Sequence, residues 1–234
     1  SLHRLLKELC RIDGIRWIRI LYCYPEEIDD NLIQVMKEEK KICNYLDLPI
    51  QHASDGILKR MGRRTSKAQL TEVIGKLRKE IPDICLRTTL ITGFPGETKE
   101  QHEELKEFVD EMEFDRLGVF TYSPEEDTPA AEMPDQIPEE IKEERQAELM
   151  ELQQEIAFDQ AETMVGTEVL VMIEGKVADE NAYVGRTYKE APNVDGLICV
   201  NTEEELMSGD FARVGVTGAL EYDLIGELED EFTE

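Results

Sequence analysis

The chain has 234 residues, 41% of them hydrophobic, and it carries 26 basic and 53 acidic side chains for a net charge of −27. This length and apolar content suit one large domain, or a medium domain with a small one, and no apolar run approaches the roughly 20 residues of a membrane span. The acidic excess argues against a nucleic-acid-binding surface, which needs Lys and Arg for phosphate contacts.

The acidic side chains are concentrated in the later part of the chain. Residues 1–81 hold 16 basic and 12 acidic side chains, residues 82–160 hold 6 and 23, and residues 161–234 hold 4 and 18. A solvated surface that keeps the protein soluble is the ordinary explanation of such runs. The alternative is that the last two-thirds of the chain repels nucleic acid and attracts a basic partner.

The chain begins at Ser1 within a predicted amphipathic helix and has neither an initiator Met nor a signal peptide. We therefore expect it to be a fragment of a longer protein with a part upstream of Ser1. Its five cysteines are Cys10, Cys23, Cys43, Cys85 and Cys199. They are too scattered for a CxxC motif, which indicates reduced, mostly buried thiols in a cytoplasmic protein.

Four strand-then-helix units are predicted in chain order. The strands are "IRWIRILYCYP", "CNYLDLPIQH", "ICLRTTLITG" and "RLGVFTYS", separated by helical stretches such as "EIDDNLIQVMKEE" and "SKAQLTEVIGKLRKEI". Ser66 with Gln69, and Thr98 with Gln101, form capping-box patterns at two helix starts. Strands that alternate with helices predict parallel βαβ units, in a doubly wound sheet or part of a barrel.

The sequence pattern changes after the fourth predicted strand. The stretch "PEEDTPAAEMPDQIP" predicts a loop or lid, and Pro138 then precedes a long acidic helix with an apolar stripe. The stripe consists of Ile141, Leu149, Leu152 and Ile156. Short strands after Gly166 predict a small five-stranded barrel, so we place two domains at residues 1–162 and 163–234. The final "EDEFTE" is expected to be frayed.

Polar side chains end all four predicted strands of the first domain. They are Tyr22 and Tyr24, Gln51 and His52, Thr89 and Thr92, and Tyr122 and Ser123. In a parallel barrel the active site lies at the C-terminal ends of the strands. We therefore expect these residues to line one opening, the mouth of the barrel, at that end.

The stretch "LRTTLITGFPGET" runs from a strand through a glycine turn into a helix, as phosphate-binding loops do. No Gly-Lys-Ser or Gly-Lys-Thr follows, so the lysine that would reach a phosphate is absent. Gly93 and Gly96 are expected to adopt positive φ, with Pro95 fixing the turn between them. A purely structural turn is the alternative.

Four segments in order carry a family resemblance: "LDLPIQHASDGILKRMGRR", "LRTTLITGFPGET", "FTYSPEEDTPAA", and a tail from "GTEVLVMIEG" to "EYDLIGEL". They resemble the radical S-adenosylmethionine (SAM) methylthiotransferases over nearly the whole chain. The resemblance implies an α/β fold: the C-terminal part of a radical SAM, partial TIM-like barrel, followed by a small all-β, OB-like TRAM domain.

The resemblance also implies cosubstrate contacts. Gln51 and Arg63 match positions that touch SAM in radical SAM barrels, and Arg63 would clamp the SAM carboxylate with parallel hydrogen bonds. Thr89 lies at a position where many relatives have an aspartate that binds the ribose of SAM. For Arg63 the alternative is an exposed surface arginine. His52 is expected to be a structural histidine, and His3 and His102 helix-surface residues.

Radical SAM enzymes hold a four-iron cluster with a CxxxCxxC triplet, which this sequence lacks. The family carries two 4Fe–4S clusters, and we expect the cysteines of both to lie upstream of Ser1. The fragment alone is therefore predicted to bind no metal cluster, to contain no catalytic residue and to be inactive.

Within the family the chain most resembles the RimO-like subgroup, whose members methylthiolate the β-carbon of an aspartate in small-subunit ribosomal protein twelve. An acidic tail suits this basic protein partner better than tRNA, and no membrane partner is expected. Three alternatives stay open: a MiaB-like tRNA methylthiotransferase, a non-enzymatic acidic interaction module, and a TIM-like hydrolase. The hydrolase would use Asp47 and Asp115, which are both predicted to precede the ends of their strands.

Overall fold

A computed structural model describes residues 1–229, so part of the predicted frayed "EDEFTE" end lies outside the described residues. The chain divides into two compact units, Ser1–Ile156 and Ala157–Glu234. The helices are α1 Leu2–Cys10, α2 Asp30–Glu38, α3 Asp55–Arg60, α4 Lys67–Glu80, α5 Lys99–Met112 and α6 Glu139–Thr163. The strands are β1 Ile18–Ile20, β2 Ile42–Asp47, β3 Cys85–Thr92, β4 Arg116–Thr121, β5 Glu168–Lys176, β6 Ala182–Arg186, β7 Ile198–Asn201, β8 Phe211–Leu220 and β9 Asp223–Leu228.

The first unit is built on a parallel sheet, which confirms the predicted βαβ arrangement. Its four strands lie in the order β1-β2-β3-β4, and each pair of neighbours is parallel. Both predicted capping boxes are present, at Ser66 with Gln69 and at Thr98 with Gln101. These caps satisfy free N–H groups at the helix starts and so fix where α4 and α5 leave the preceding loops.

One face of the sheet and the helices that cover it share the main apolar core. Leu46, Leu86 and Leu90 from the strands are fully buried, as are Leu70 and Phe108 from the helices. This face alternates along β3 with half-buried residues on the other face. Such a period of two is what a strand with one buried and one more accessible face requires.

The strands are shorter than the sequence pattern predicts. β1 stops at Ile20, because Tyr22 adopts φ +55° and leaves the extended conformation. β2 stops at Asp47, two residues before Pro49, which has no N–H to continue the ladder. The rest of each predicted run forms the loop at the C-terminal edge of the sheet.

The predicted apolar stripe of α6 is only partly correct. Leu149 is fully buried, and Leu152 and Ile156 pack against the main core, whereas Ile141 is 38% exposed. Among the described residues, no helix is both long and apolar enough to cross a membrane.

The second unit contains the predicted five-stranded barrel, closed in the order β5-β6-β7-β9-β8. Its interior is apolar, with Val171, Ile173, Val200 and Val214 all fully buried. The only parallel pairing in the described barrel joins β7 to β9, and it closes the sheet so that no strand edge is left unpaired.

Candidate functional site

A cavity of about 690 Å³ opens at the C-terminal edge of the parallel sheet. Its lining comes from the ends of three strands, from the loop after α3, and from the 124–138 segment between β4 and α6. The lining includes Gln51, Arg63, Ile91, Phe94, Tyr122 and Met133. The predicted mouth of polar strand ends is thus represented here by Gln51, Tyr122 and Ser123.

Gln51 is held in an unusual backbone conformation beside the cavity. Its φ is +70°, its N–H donates to the carbonyl of Thr89 (2.9 Å), and its carbonyl accepts from the N–H of Ile91 (2.9 Å). A non-glycine residue adopts such a φ only where its surroundings fix it. The side-chain Oε1 is buried without a hydrogen-bond partner, so an acceptor is available at the cavity.

Arg63 is half-buried, so it is not the exposed surface arginine of the alternative interpretation. One Nη donates to the carbonyl of Pro49, and the guanidinium lies 5.1 Å from the centroid of the Tyr24 ring. Its Nε is buried without a hydrogen-bond partner. A planar cation fixed on an aromatic face, with a donor to spare, suits a carboxylate ligand.

Thr89 does not line the cavity. It lies on β3 opposite Gly118, two residues before Ile91 and on the same face of the strand. Its carbonyl positions Gln51, as described above. The structure therefore connects Thr89 to the cavity through its backbone.

Tyr122 contributes a further polar group that the sequence did not single out from the eight strand-end residues. Its ring meets Phe94 edge-on, with centroids 5.2 Å apart and planes at 69°. The side chain is 9% exposed, and its hydroxyl has no hydrogen-bond partner. A buried hydroxyl without a partner is costly, so it adds to the indications that this cavity holds a ligand.

The glycine turn after β3 is stabilised by its own carboxylate. Gly93 has φ +69° and Gly96 φ +78°, which confirms the predicted positive φ. Glu97 is 2% exposed, and its Oε2 accepts from the N–H groups of Gly93 and Phe94 (3.2 Å for Phe94). The N–H groups that a phosphate would use in a P-loop are thus occupied by Glu97.

Glu97 is also the centre of a buried charged cluster. Its Oε1 lies 3.3 Å from Nη1 of Arg145, 3.8 Å from Nε2 of His52 and 3.7 Å from Nδ1 of His102. Nδ1 of His52 accepts from the N–H of Ser54 (2.9 Å), which places the ring proton on Nε2, toward Glu97. His52 is fully buried and has the structural role predicted for it.

The prediction that His102 is a helix-surface residue is wrong. It is 3% exposed and lies in α5 on the side that packs against α6, where its Nε2 is 2.9 Å from a carboxylate oxygen of Glu148. Lys106 bonds the same oxygen (2.9 Å). Burial lowers the pKa of His102, and the neighbouring carboxylates of Glu148 and Glu97 oppose this shift.

Comparison with known proteins connects this geometry to a family. The model of the Radical SAM superfamily matches residues 1–109, and the model of the TRAM domain matches residues 165–228. Ribosomal protein uS12 methylthiotransferase RimO of Lachnoclostridium phytofermentans is 67% identical over 228 residues, covering 97% of this chain and 52% of that protein. The RimO proteins of Desulfitobacterium hafniense and Geotalea uraniireducens are 52% and 51% identical, over 96% and 97% of the chain and 50% and 51% of their own lengths.

The chain belongs to the radical SAM methylthiotransferase family. It spans about half the length of the curated relatives that it matches. Among solved structures, coproporphyrinogen III oxidase (HemN) from Escherichia coli, a radical SAM enzyme, superposes with a TM-score of 0.51 at 18% identity. That match covers 81% of this chain and 50% of HemN, and it supports the radical SAM fold.

The groups that line the cavity fit a molecule with the chemistry of SAM. The acceptor of Gln51 and the hydroxyl of Tyr122 suit hydroxyl or amine groups, and the donor of Arg63 suits a carboxylate. Phe94 and Ile91 supply apolar walls for a flat base. All three polar atoms are buried and lack hydrogen-bond partners within the described residues.

The thiols of the chain do not fit an iron–sulfur cluster. Cys23, Cys43 and Cys85 are buried, Cys10 and Cys199 are half-buried, and none of the five is part of a disulfide. Within residues 1–229, no group of three or more His, Cys, Asp or Glu side chains is arranged to hold a metal ion. Burial raises the pKa of the Cys23 thiol, which disfavours the thiolate that a metal needs.

The prediction that Asp47 precedes the end of its strand is wrong, because Asp47 is the last residue of β2. Its Oδ1 is buried without a hydrogen-bond partner, and burial raises the pKa of this carboxyl against the opposing effect of Arg87. Asp115 precedes β4, as predicted, and accepts from the N–H of Leu86 (2.9 Å). This structural use of Asp115 argues against the hydrolase alternative, which needs both carboxylates for chemistry.

Proposed function

We propose that the protein of which this chain is a part methylthiolates the β-carbon of an aspartate in ribosomal protein uS12, and that it binds SAM in the cavity described above. The relatives named for this activity match 96–97% of the chain at 51–67% identity. The observation that supports the SAM site is the convergence of three buried polar atoms without partners, on Gln51, Arg63 and Tyr122, in one cavity.

In this proposal each residue at the cavity has a defined role. Arg63, held on Tyr24 and Pro49, binds the carboxylate of SAM, and Gln51 binds a ribose hydroxyl. Thr89 acts through its carbonyl, which fixes the conformation of Gln51. Phe94 and Tyr122 pack on the base and exclude water. Bound SAM supplies radical chemistry at the substrate carbon.

The thiolates of the two iron–sulfur clusters come, in this proposal, from the part of the protein that the chain does not span. The five thiols of the chain are scattered, and three of them are buried. The chain by itself is therefore expected to be inactive.

The substrate class follows from the charge of the TRAM domain, whose relatives in tRNA-modifying enzymes would need basic surfaces. Two of its four cations are neutralised locally: Arg186 by Glu174 (2.8 Å) and Arg213 by Glu168 (2.6 Å). This leaves few charges for phosphates and favours a basic protein substrate in the cytoplasm. The MiaB-like activity on tRNA remains the second candidate, since it shares the SAM site.

The activity is tested with the full-length protein from L. phytofermentans, reconstituted anaerobically and supplied with SAM and a reductant. Mass spectrometry is expected to find one methylthio group in place of hydrogen on an aspartate of uS12, and none on tRNA. Modification of tRNA alone would overturn the substrate assignment.

The SAM site is tested by calorimetry with S-adenosylhomocysteine. Replacing Arg63 by Ala removes a charge-assisted hydrogen bond, which corresponds to a loss of about 10- to 100-fold in affinity. The matched control is the neighbouring Arg64→Ala, since Arg64 is exposed and does not line the cavity. Equal affinities of the two variants would contradict the assignment of Arg63.

A further inference from the structure

Four large apolar side chains are exposed where two loops of the TRAM barrel meet. Val194 is 71% exposed, Leu197 38%, Leu220 65% and Tyr222 45%. Val194 and Leu197 belong to the segment between β6 and β7, whereas Leu220 is the last residue of β8 and Tyr222 lies in the tight turn between β8 and β9. We call these four residues the apolar patch.

Backbone contacts join the two loops. A side chain at Gly196 would overlap the carbonyl oxygen of Tyr222, so the backbones of the two loops are in direct contact at this glycine. The N–H of Leu197 donates to the carboxylate of Asp223 (2.8 Å), and the N–H of Leu224 donates to the carbonyl of Leu197 (2.9 Å). The two loops that carry the apolar side chains are therefore in direct contact.

The apolar patch is also preformed. The carboxylate of Asp195 accepts from the N–H of Ala191 (2.6 Å) and closes the β6–β7 loop on itself. The ring of Tyr222 meets that of Phe158 edge-on, with centroids 5.0 Å apart. A partner that docks here pays little entropy for ordering the loops, which makes the surface suited to binding.

The surroundings of the apolar patch are anionic. Asp195, Glu221 and Asp223 are sequence neighbours of residues of the patch, and Asp159 follows Phe158. Residues 146–175, 190–212 and 214–234 contain neither Lys nor Arg. Exposed apolar side chains in such a field favour an occupant that is apolar at its contact and positively charged around it.

Charge also decides against the other classes of occupant. A second copy of this chain brings the same net charge of −27, and RNA and anionic membranes are repelled in the same way. We propose that the apolar patch is the surface on which the TRAM domain docks uS12, through an apolar side chain of uS12 flanked by Lys or Arg. This inference rests on the proposed function and assigns the partner to one face of the barrel.

The binding experiment compares matched double variants of this chain against purified L. phytofermentans uS12 by biolayer interferometry. Val194→Ser with Leu220→Ser removes apolar surface from the patch, whereas Val165→Ser with Met207→Ser removes it from exposed positions elsewhere, 45% and 72% accessible. The patch variant is expected to bind about tenfold more weakly or worse, and the control within twofold of wild type. Glu221→Lys is expected to weaken binding and to reduce its salt dependence.

Hydrogen–deuterium exchange locates the contact without relying on variants. Adding uS12 is expected to protect peptides that cover residues 190–198 and 219–224, both in this chain and in the full-length protein. Four results would overturn the inference: equal binding by the two double variants, protection elsewhere on the barrel, protection in full-length protein before uS12 is added, or dimerisation through the patch. If the full-length patch variant methylthiolates uS12 at the wild-type rate, the docking surface is rejected and the proposed function stays intact. If the wild-type protein does not methylthiolate uS12, the proposed function itself is rejected.

Discussion

The carboxylate of Glu97 is expected to be the main determinant of the turn that shapes the cavity. Glu97→Ala leaves the N–H groups of Gly93 and Phe94 without an acceptor and removes the anion beside Arg145, whose side chain is only 12% exposed. Because Phe94 lines the cavity, the change acts on both stability and ligand binding.

The size of the effect follows from the contacts. A buried donor left without a partner costs about 1–3 kcal/mol, and a buried ion pair that loses one member about 3–5 kcal/mol. The contributions overlap because the same carboxylate makes all the contacts, so we expect Glu97→Ala to lower the free energy of unfolding by about 4 kcal/mol. Glu97→Gln keeps an acceptor and is expected to cost about 2 kcal/mol.

Urea denaturation of this chain measures the loss. Trp17, the single tryptophan, reports the first unit by fluorescence, and circular dichroism follows both units. The matched control is Glu107→Ala on the exposed side of α5, the helix that follows the turn, and it is expected to change stability by less than about 0.5 kcal/mol. If Glu97→Ala costs no more than Glu107→Ala, the carboxylate does not hold the turn and the reasoning is refuted.

Two further predictions concern the same region and are measured by urea denaturation. Gly93→Ala places a Cβ at φ +69° against the buried side chain of Lys142, so we expect it to lower the free energy of unfolding by about 2 kcal/mol or more. The control Gly75→Ala, in open space on α4, should raise that free energy by about 0.5–1 kcal/mol. Equal effects of the two variants would contradict the strain at Gly93. Burial lowers the pKa of His102, so below its ordinary pKa of 6.5 the unfolded chain takes up the proton first, and the stability present above pH 6.5 falls as the pH drops. Wild type should therefore lose more stability than His102→Gln between pH 7.5 and pH 5.5, and equal losses would show that His102 is not responsible.

Local features of the sequence determined much of the fold. The capping boxes at Ser66 and Thr98 involve residues three positions apart, and the positive φ of Gly93 and Gly96 follows from the turn itself. The alternation of strands and helices fixed a parallel sheet, and the short strands after Gly166 fixed a small barrel. These features need only neighbouring residues, so they can be recognised without knowing what packs against them.

The tertiary structure decided the rest of the site. His102 has the spacing of a surface residue on an acidic helix, and only the packing of α6 on α5 buries it against Glu148, 46 positions later. Gln51 reads as an ordinary strand end, whereas its φ of +70° depends on hydrogen bonds to Thr89 and Ile91 on the next strand.

Glu97 shows most clearly which features the local sequence determines and which depend on the tertiary structure. Its place after a glycine turn was visible in the sequence, but its contacts with His52, His102 and Arg145 come from three different elements. Hydrogen bonds within a turn are encoded locally, whereas the burial of a charge depends on which distant side chains surround it, and that is settled only when the helices pack on the sheet.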